Sequence, residues 1–262
     1  MTLSKEEINR VADDVWQDMK SRVDIGRKRP HITISDEETK QRLGDLARHY
    51  DIKADIPHYI PKDAYASILR LVNVKEGHTD LLISPVQIKP DIPLDTAKVM
   101  LAHEFGHYLY LVSDPHFAAT VYMFLRGLEN DKEIEVEQKE KTKFLLEAVE
   151  ESLAWIPPIE MYGERYVIDN MLKHLEKDAS MPEIDRRDLC HYHNLMMIYT
   201  SFMNDDGVGM KNLLDPLSVV ESHPTTRLDP SNKARADDFL EAYADVRTEI
   251  APDITAYVDD AE

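Results

Sequence analysis

Two histidines four positions apart, with a glutamate beside the first, form the run His103-Glu104-Phe105-Gly106-His107. On a helix, residues four apart project from one face about a turn from each other, so both imidazoles can reach one small tetrahedral ion. Glu104 falls one position along, beside such an ion rather than on it, where its carboxylate can take a proton from metal-bound water. Gly106 is small enough to allow close backbone approach. The flanking stretches Val99-Met100-Leu101-Ala102 and Leu109 to Leu111 predict a buried helix. Two buried imidazoles and a buried carboxylate are costly to desolvate without a partner, and a metal ion satisfies all three. The chemistry implied is metal-assisted hydrolysis around one zinc ion per chain.

A third ligand must come from elsewhere. A further histidine in the metzincin pattern would need glycine at position 110 and histidine at 113, where this chain has Tyr110 and Ser113. His116 is out of register and next to Pro115. The remaining common solution is a glutamate on a later helix, with Glu147, Glu150 and Glu151 as candidates. At about 100° per residue, Phe144, Leu145, Ala148, Val149, Ser152 and Trp155 define the apolar arc of that helix. Glu151 lies nearest its edge and is favoured, with Glu147 next.

Together, HEFGH and the later Glu151-Ser152-Leu153-Ala154 resemble the HExxH…ExxA arrangement of gluzincin-type metallopeptidases. Similar arrangements occur in the ImmA/IrrE group and in the HtpX-type, CAAX-prenyl-protease-like group. The segment Ser222-His223-Pro224-Thr225-Thr226-Arg227 is similar to an element that follows the ligand glutamate in the HtpX-type group. The resemblance implies His103, His107 and Glu151 as zinc ligands and Glu104 as catalytic base. It places His223 and Arg227 near the site, stabilising an oxyanion or supporting the ligands. It also implies a protein or peptide substrate and a zincin-like catalytic core. The chain departs from the pattern in two ways. Trp155 stands where an Asp or Asn usually follows the alanine, and no membrane helices of the HtpX kind are present. A second function class follows from the ImmA/IrrE likeness: a regulatory or interaction protein whose metal is structural or sensory.

Other candidates have plainer readings. His191 and His193, two apart, point in different directions on a helix, and Met196, Met197, Met203 and Met210 read as flexible core filling. Tyr108, Tyr110 and Tyr162 are possible oxyanion donors that spacing alone does not place.

The elements that must position these residues can be read along the chain. Ser4 with Glu7, and Ser35 with Glu38, form capping boxes that open two helices, the first carrying Ile8, Val11, Val15 and Met19 at helical spacing. Residues 1–56 read as an N-terminal helical segment and 57–262 as the catalytic domain, with a boundary near Ile56-Pro57. A β-rich run from Ala66 to Val74, a turn at Lys75-Glu76-Gly77 and a return over Asp80 to Ser84 predict an antiparallel pair. The strand around Leu81–Ser84 is expected to offer an edge to an extended peptide. Asp95 is the expected N-cap of a helix over Thr96 to Val112. The charge-dense residues 129–143 read as a solvated helix end, or as a lid. An apolar helix over Phe144 to Ile156 is expected to stop at Pro157-Pro158, and more helices are expected over 163–177, 184–203 and 231–247. The fold class is therefore α+β, predominantly helical, with a small antiparallel sheet and an active-site helix.

Composition excludes several classes. Apolar residues make up 43% and charged residues 31% of the 262 residues, a globular balance. A net charge of -19 opposes general binding to nucleic acid or anionic membrane. A single cysteine, Cys190, allows no internal disulfide and points to a reducing compartment. No apolar run approaches the roughly 18 residues of a membrane span. A cytoplasmic, unanchored protein is expected.

Overall fold

A computed structural model of the chain describes residues 2–49, 65–68, 70–75, 78–114, 132, 135–172, 200, 209–214 and 254–257. Helix α1 (Lys5–Arg22) begins where the sequence indicates. The Ser4 hydroxyl accepts the Glu7 N–H at 3.2 Å, and the Glu7 carboxylate accepts the Ser4 N–H at 2.8 Å. These two bonds satisfy donors that a helix start otherwise leaves free. The face carrying Ile8, Val11, Ala12, Val15, Trp16 and Met19 is buried. Strand β1 (Ile32–Thr33) follows, then helix α2 (Asp36–His49), opened by the Ser35 hydroxyl accepting the Glu38 N–H at 3.2 Å. Lys5 Nζ donates to Glu38 Oε1 at 2.6 Å and ties the start of α1 to α2.

Two three-stranded sheets follow. The first runs β1, β5 (Val86–Ile88), β2 (Ala66–Ser67), with β1 parallel and β2 antiparallel to the central β5. Val86 and Ile88 are buried and Gln87 between them is half-buried, as period-two alternation requires. The second sheet pairs β3 (Arg70–Lys75) with β4 (His78–Ile83) antiparallel, joining Arg70 to Ile83 and Lys75 to His78. Strand β6 (Ile254–Tyr257) adds to β4 in parallel. The expected hairpin is therefore present, but both sheets are mixed rather than antiparallel. Strand β4 is also central: Thr79 to Leu82 have β3 on one side and β6 on the other. Leu81 and Leu82 thus have no free edge to offer a peptide.

Helix α3 (Leu94–Ser113) carries the histidine motif and is buried on nearly every side. An apolar surface all round a helix requires neighbours all round it. Helix α1 covers one side, with the Trp16 indole edge-on to Phe105 at 5.2 Å and to Tyr108 at 5.9 Å. Burying a side chain such as Phe105 stabilises the fold by about 1.5–3 kcal/mol. Thr96 Oγ1 donates to the Asn170 carbonyl at 2.6 Å, holding the start of α3 to a π-helical turn (Ile168–Leu172). The start of α3 differs from expectation. Pro93 is the N-cap and Asp95 sits inside the first turn, pairing with Lys98 at 3.0 Å, where its charge still favours the helix dipole.

The most extensive partner of α3 among the described elements is helix α4 (Val136–Tyr162). Its helical path continues through Pro157 and Pro158 to Gly163, contrary to the expected stop. The prolines remove the N–H groups that would bond to the carbonyls of Leu153 and Ala154. Everything from Ser152 to Ile159 is buried, so packing offsets that loss. Gly163, at φ 84°, ends the helix in a conformation that favours glycine, and its N–H reaches Ile159 O at 2.8 Å. A short helix α5 (Glu164–Val167) and the π-helical turn follow, and a 3-10 turn spans Met210–Leu214.

The freed Ala154 carbonyl lies against Gly106. A Cβ on Gly106 would sit 2.7 Å from Ala154 O and 2.9 Å from Ala154 Cα. Glycine at 106 is therefore what lets the two helices approach this closely. The α+β, predominantly helical class holds for the described residues. The boundary near Ile56-Pro57, most of 129–134, residues 173–177 of the helix expected over 163–177, the helix expected over 184–203 apart from Thr200, and that over 231–247 lie outside them.

Replacing Gly106 with alanine is expected to destabilise the protein by about 1–3 kcal/mol, because backbone rather than a mobile side chain must give way. Gly26, with nothing within 4 Å of its own Cβ position, is the control and should tolerate alanine with little change. Urea denaturation of the two variants beside wild type measures the difference.

Candidate metal centre

One turn of α3 brings His103 and His107 together. Their Nε2 atoms are 3.2 Å apart and their rings meet edge to face, with centroids 4.7 Å apart. Helix α4 brings Glu151 onto the same point. Its Oε2 lies 3.4 Å from His103 Nε2 and its Oε1 lies 3.5 Å from His107 Nε2. The two nitrogens thus lie side by side, and each faces one of the two carboxylate oxygens. A tetrahedral ion with bonds of about 2.0–2.1 Å separates its ligands by about 3.3–3.4 Å, close to the 3.2 Å between the two imidazole nitrogens. The group could hold a metal ion, with all three donors within 4.8 Å of one another. Exposure rises from His103 (4% of the side chain) through His107 (13%) to Glu151 (24%), so the centre opens towards Glu151.

The charges at this point are strongly coupled. Burial alone would push the Glu151 carboxyl up, but the imidazoles of His107 and His103 hold it well below the usual carboxylate range. Burial would likewise lower His107, yet the carboxylates of Glu151, Glu104 and Glu150 leave its pKa raised. Glu104 behaves oppositely to Glu151. Burial pushes its carboxyl up to about 8, with His107 opposing, the Glu151 charge reinforcing, and a backbone hydrogen bond from Ile68 pulling back down. Ile68 directly follows β2. The two carboxyls are therefore shifted in opposite directions by their surroundings.

Of the carboxylates weighed as third donor, Glu151 joins the histidines. Glu150 is half-buried and acts on His107 through its charge only, outside the donor group. The Glu147 side chain, His116, His191, His193, His223 and Arg227 lie outside the described residues. Among the tyrosines, Tyr110 stands beside His107 with ring centroids 5.9 Å apart. Tyr108 turns to α1 and donates to the Lys28 carbonyl at 3.4 Å, and Tyr162 stacks on Tyr166 at 5.5 Å. Two neighbours were not anticipated in their roles. Trp155 lies on the His103 ring, with centroids 4.2 Å apart and planes at 44°, and the Ile68 N–H bonds to Glu104. Spacing carried a signal for the first, because Trp155 is four residues after Glu151 and shares its face. Nothing local to Ile68 marked the second.

No protein-family model, curated protein or solved structure matches the chain.

Metal analysis after dialysis against zinc is expected to give one ion per chain for wild type and for Glu150→Ala. The variants His103→Ala, His107→Ala and Glu151→Ala are expected to hold substoichiometric zinc. A metal that binds only the folded state stabilises it by about 2.7 kcal/mol at a hundredfold excess over Kd. Chelation should therefore lower the Tm of wild type and leave that of Glu151→Ala unchanged.

Proposed function

We propose that the chain is a zinc-dependent hydrolase, and specifically a peptidase of the gluzincin kind. The observation that carries this reading is the cluster of His103, His107 and Glu151 with a buried fourth side chain, Glu104, next to it in sequence but outside the donor group. Two imidazoles and one carboxylate are a donor set that suits zinc, and three protein ligands leave a fourth position open, as catalytic rather than structural sites require. Bound there, zinc polarises a carbonyl and lowers the pKa of coordinated water towards 7.

The protein's own groups have distinct tasks in this reading. His103, His107 and Glu151 hold the ion. Glu104 takes the proton from the attacking water and returns it to the leaving amine. Its burial beside the donor group, without being one of the donors, suits both transfers. His223 and Arg227 are assigned, on the resemblance of their segment, to stabilising the oxyanion. The described residues contain no helix long and apolar enough to cross a membrane, consistent with a protein or peptide substrate met outside the bilayer.

The test is Glu104→Gln, which keeps size and removes the base. Zinc content is expected to stay at wild-type level. Cleavage of a mixed peptide library, followed by mass spectrometry, is expected to fall by about 10²–10⁴-fold. A variant that retains zinc and cleaves like wild type, or a wild type that cleaves nothing while the variant keeps full biological activity, would overturn the peptidase reading.

A further inference from the structure

An imidazole that ligates a metal must point its lone pair at the ion to within about 10–20°. Rotation about the Cβ–Cγ bond of histidine is soft, so the ring needs an external constraint. An acceptor on the other ring nitrogen is one such constraint, and a side chain packed against the ring is another. In this chain the residue that follows Ala154 on α4 is Trp155, and its indole covers the face of the His103 ring.

Three observations concern this contact. Trp155 is fully buried and His103 is 3% exposed, so neither ring can swing into solvent. The 4.2 Å centroid separation is contact distance for tilted rings, and rotating the imidazole would drive it into the indole. Trp155 also stands one helical turn beyond Glu151, so a single rigid stretch of α4 delivers both the third donor and the ring that bears on the first. The Gly106–Ala154 contact sets the height of that stretch over α3.

We infer that Trp155 is a positioning residue for the metal centre, fixing the His103 ring by stacking and walling that side of the site from water. It touches neither the ion nor a substrate. This rests on the metal-centre reading above, and its consequence is that metal affinity depends on an aromatic ring at position 155 and not merely on a buried apolar one.

The test compares zinc affinity, by competition with a chromophoric chelator, in wild type, Trp155→Phe and Trp155→Leu, alongside the stability of each metal-free protein. Trp155→Leu keeps burial without a ring and is expected to bind zinc about 10- to 100-fold more weakly, while Trp155→Phe loses less than about tenfold. A purely structural role would lower metal-free stability in both variants without separating their zinc affinities. Equal affinities in the two variants, whether at the wild-type level or equally weakened, would therefore overturn the inference. Should Trp155→Leu not fold, cobalt titration of Trp16→Phe, in which Trp155 is the one tryptophan left, carries the test. Strong quenching of its emission on cobalt uptake is expected, and uptake without quenching overturns the stacking. A wild type that takes up neither metal removes the metal centre itself and Trp155's role with it. Wild-type uptake with no difference among the variants removes Trp155's role alone.

Discussion

Helices α3 and α4 meet at Gly106 and Ala154 with no room for a single methyl group, and the distance between His107 and Glu151 is set by that contact. Each helix supplies an incomplete set of donors. Helix α3 holds two imidazoles a turn apart, and α4 holds a carboxylate that α3 cannot provide from its own face. The close approach of the two axes brings the carboxylate within 3.5 Å of both imidazoles. Pro158 assists by removing an N–H that would otherwise engage the Ala154 carbonyl within its own helix. Other described elements serve the same geometry from the outside. Helix α1 clamps the far side of α3 through Trp16, and the π-helical turn holds its start through Thr96.

The electrostatics follow from that packing. Burying Glu104, Glu151, His103 and His107 together would be strongly unfavourable for any one of them alone. Paired, they divide into groups with different behaviour. The imidazoles hold the Glu151 carboxyl low, whereas burial, reinforced by the Glu151 charge, pushes the Glu104 carboxyl up. The two differ because both imidazoles act on Glu151, whereas only His107 acts against the burial of Glu104. Two carboxyls within reach of the same histidines thus differ in their electrostatic behaviour.

Much of the site was legible in the chain because helical periodicity is a local rule. The spacing of His103, Glu104 and His107, the two N-terminal caps, and the position of Glu151 on the edge of an apolar arc all follow from about 100° per residue. The hairpin of β3 and β4 was equally local, carried by two β-rich runs and a glycine turn. What failed depended on distant partners. Pro157 and Pro158 read as a stop because a proline costs a helix about 3 kcal/mol in isolation, and burial of the whole stretch from Ser152 to Ile159 is not visible locally. The pairing of β6 with β4, which closes the edge expected at Leu81, joins segments far apart in sequence. Asp95 yielded the cap position to Pro93, although its charge still serves the first turn. Trp155 was visible as a departure from a familiar pattern, but its contact with His103 required the helix crossing to be known.

The most direct measurement of the central claim is X-ray absorption at the zinc edge of zinc-loaded wild type, with Glu151→Ala measured beside it. The expected first shell in wild type is two imidazole nitrogens and carboxylate and water oxygens at about 2.0–2.1 Å. In Glu151→Ala the same edge should show zinc lost or the carboxylate oxygen replaced. A wild-type shell without imidazole scattering, or one unchanged by removing Glu151, would contradict the assignment of these three residues to one metal centre.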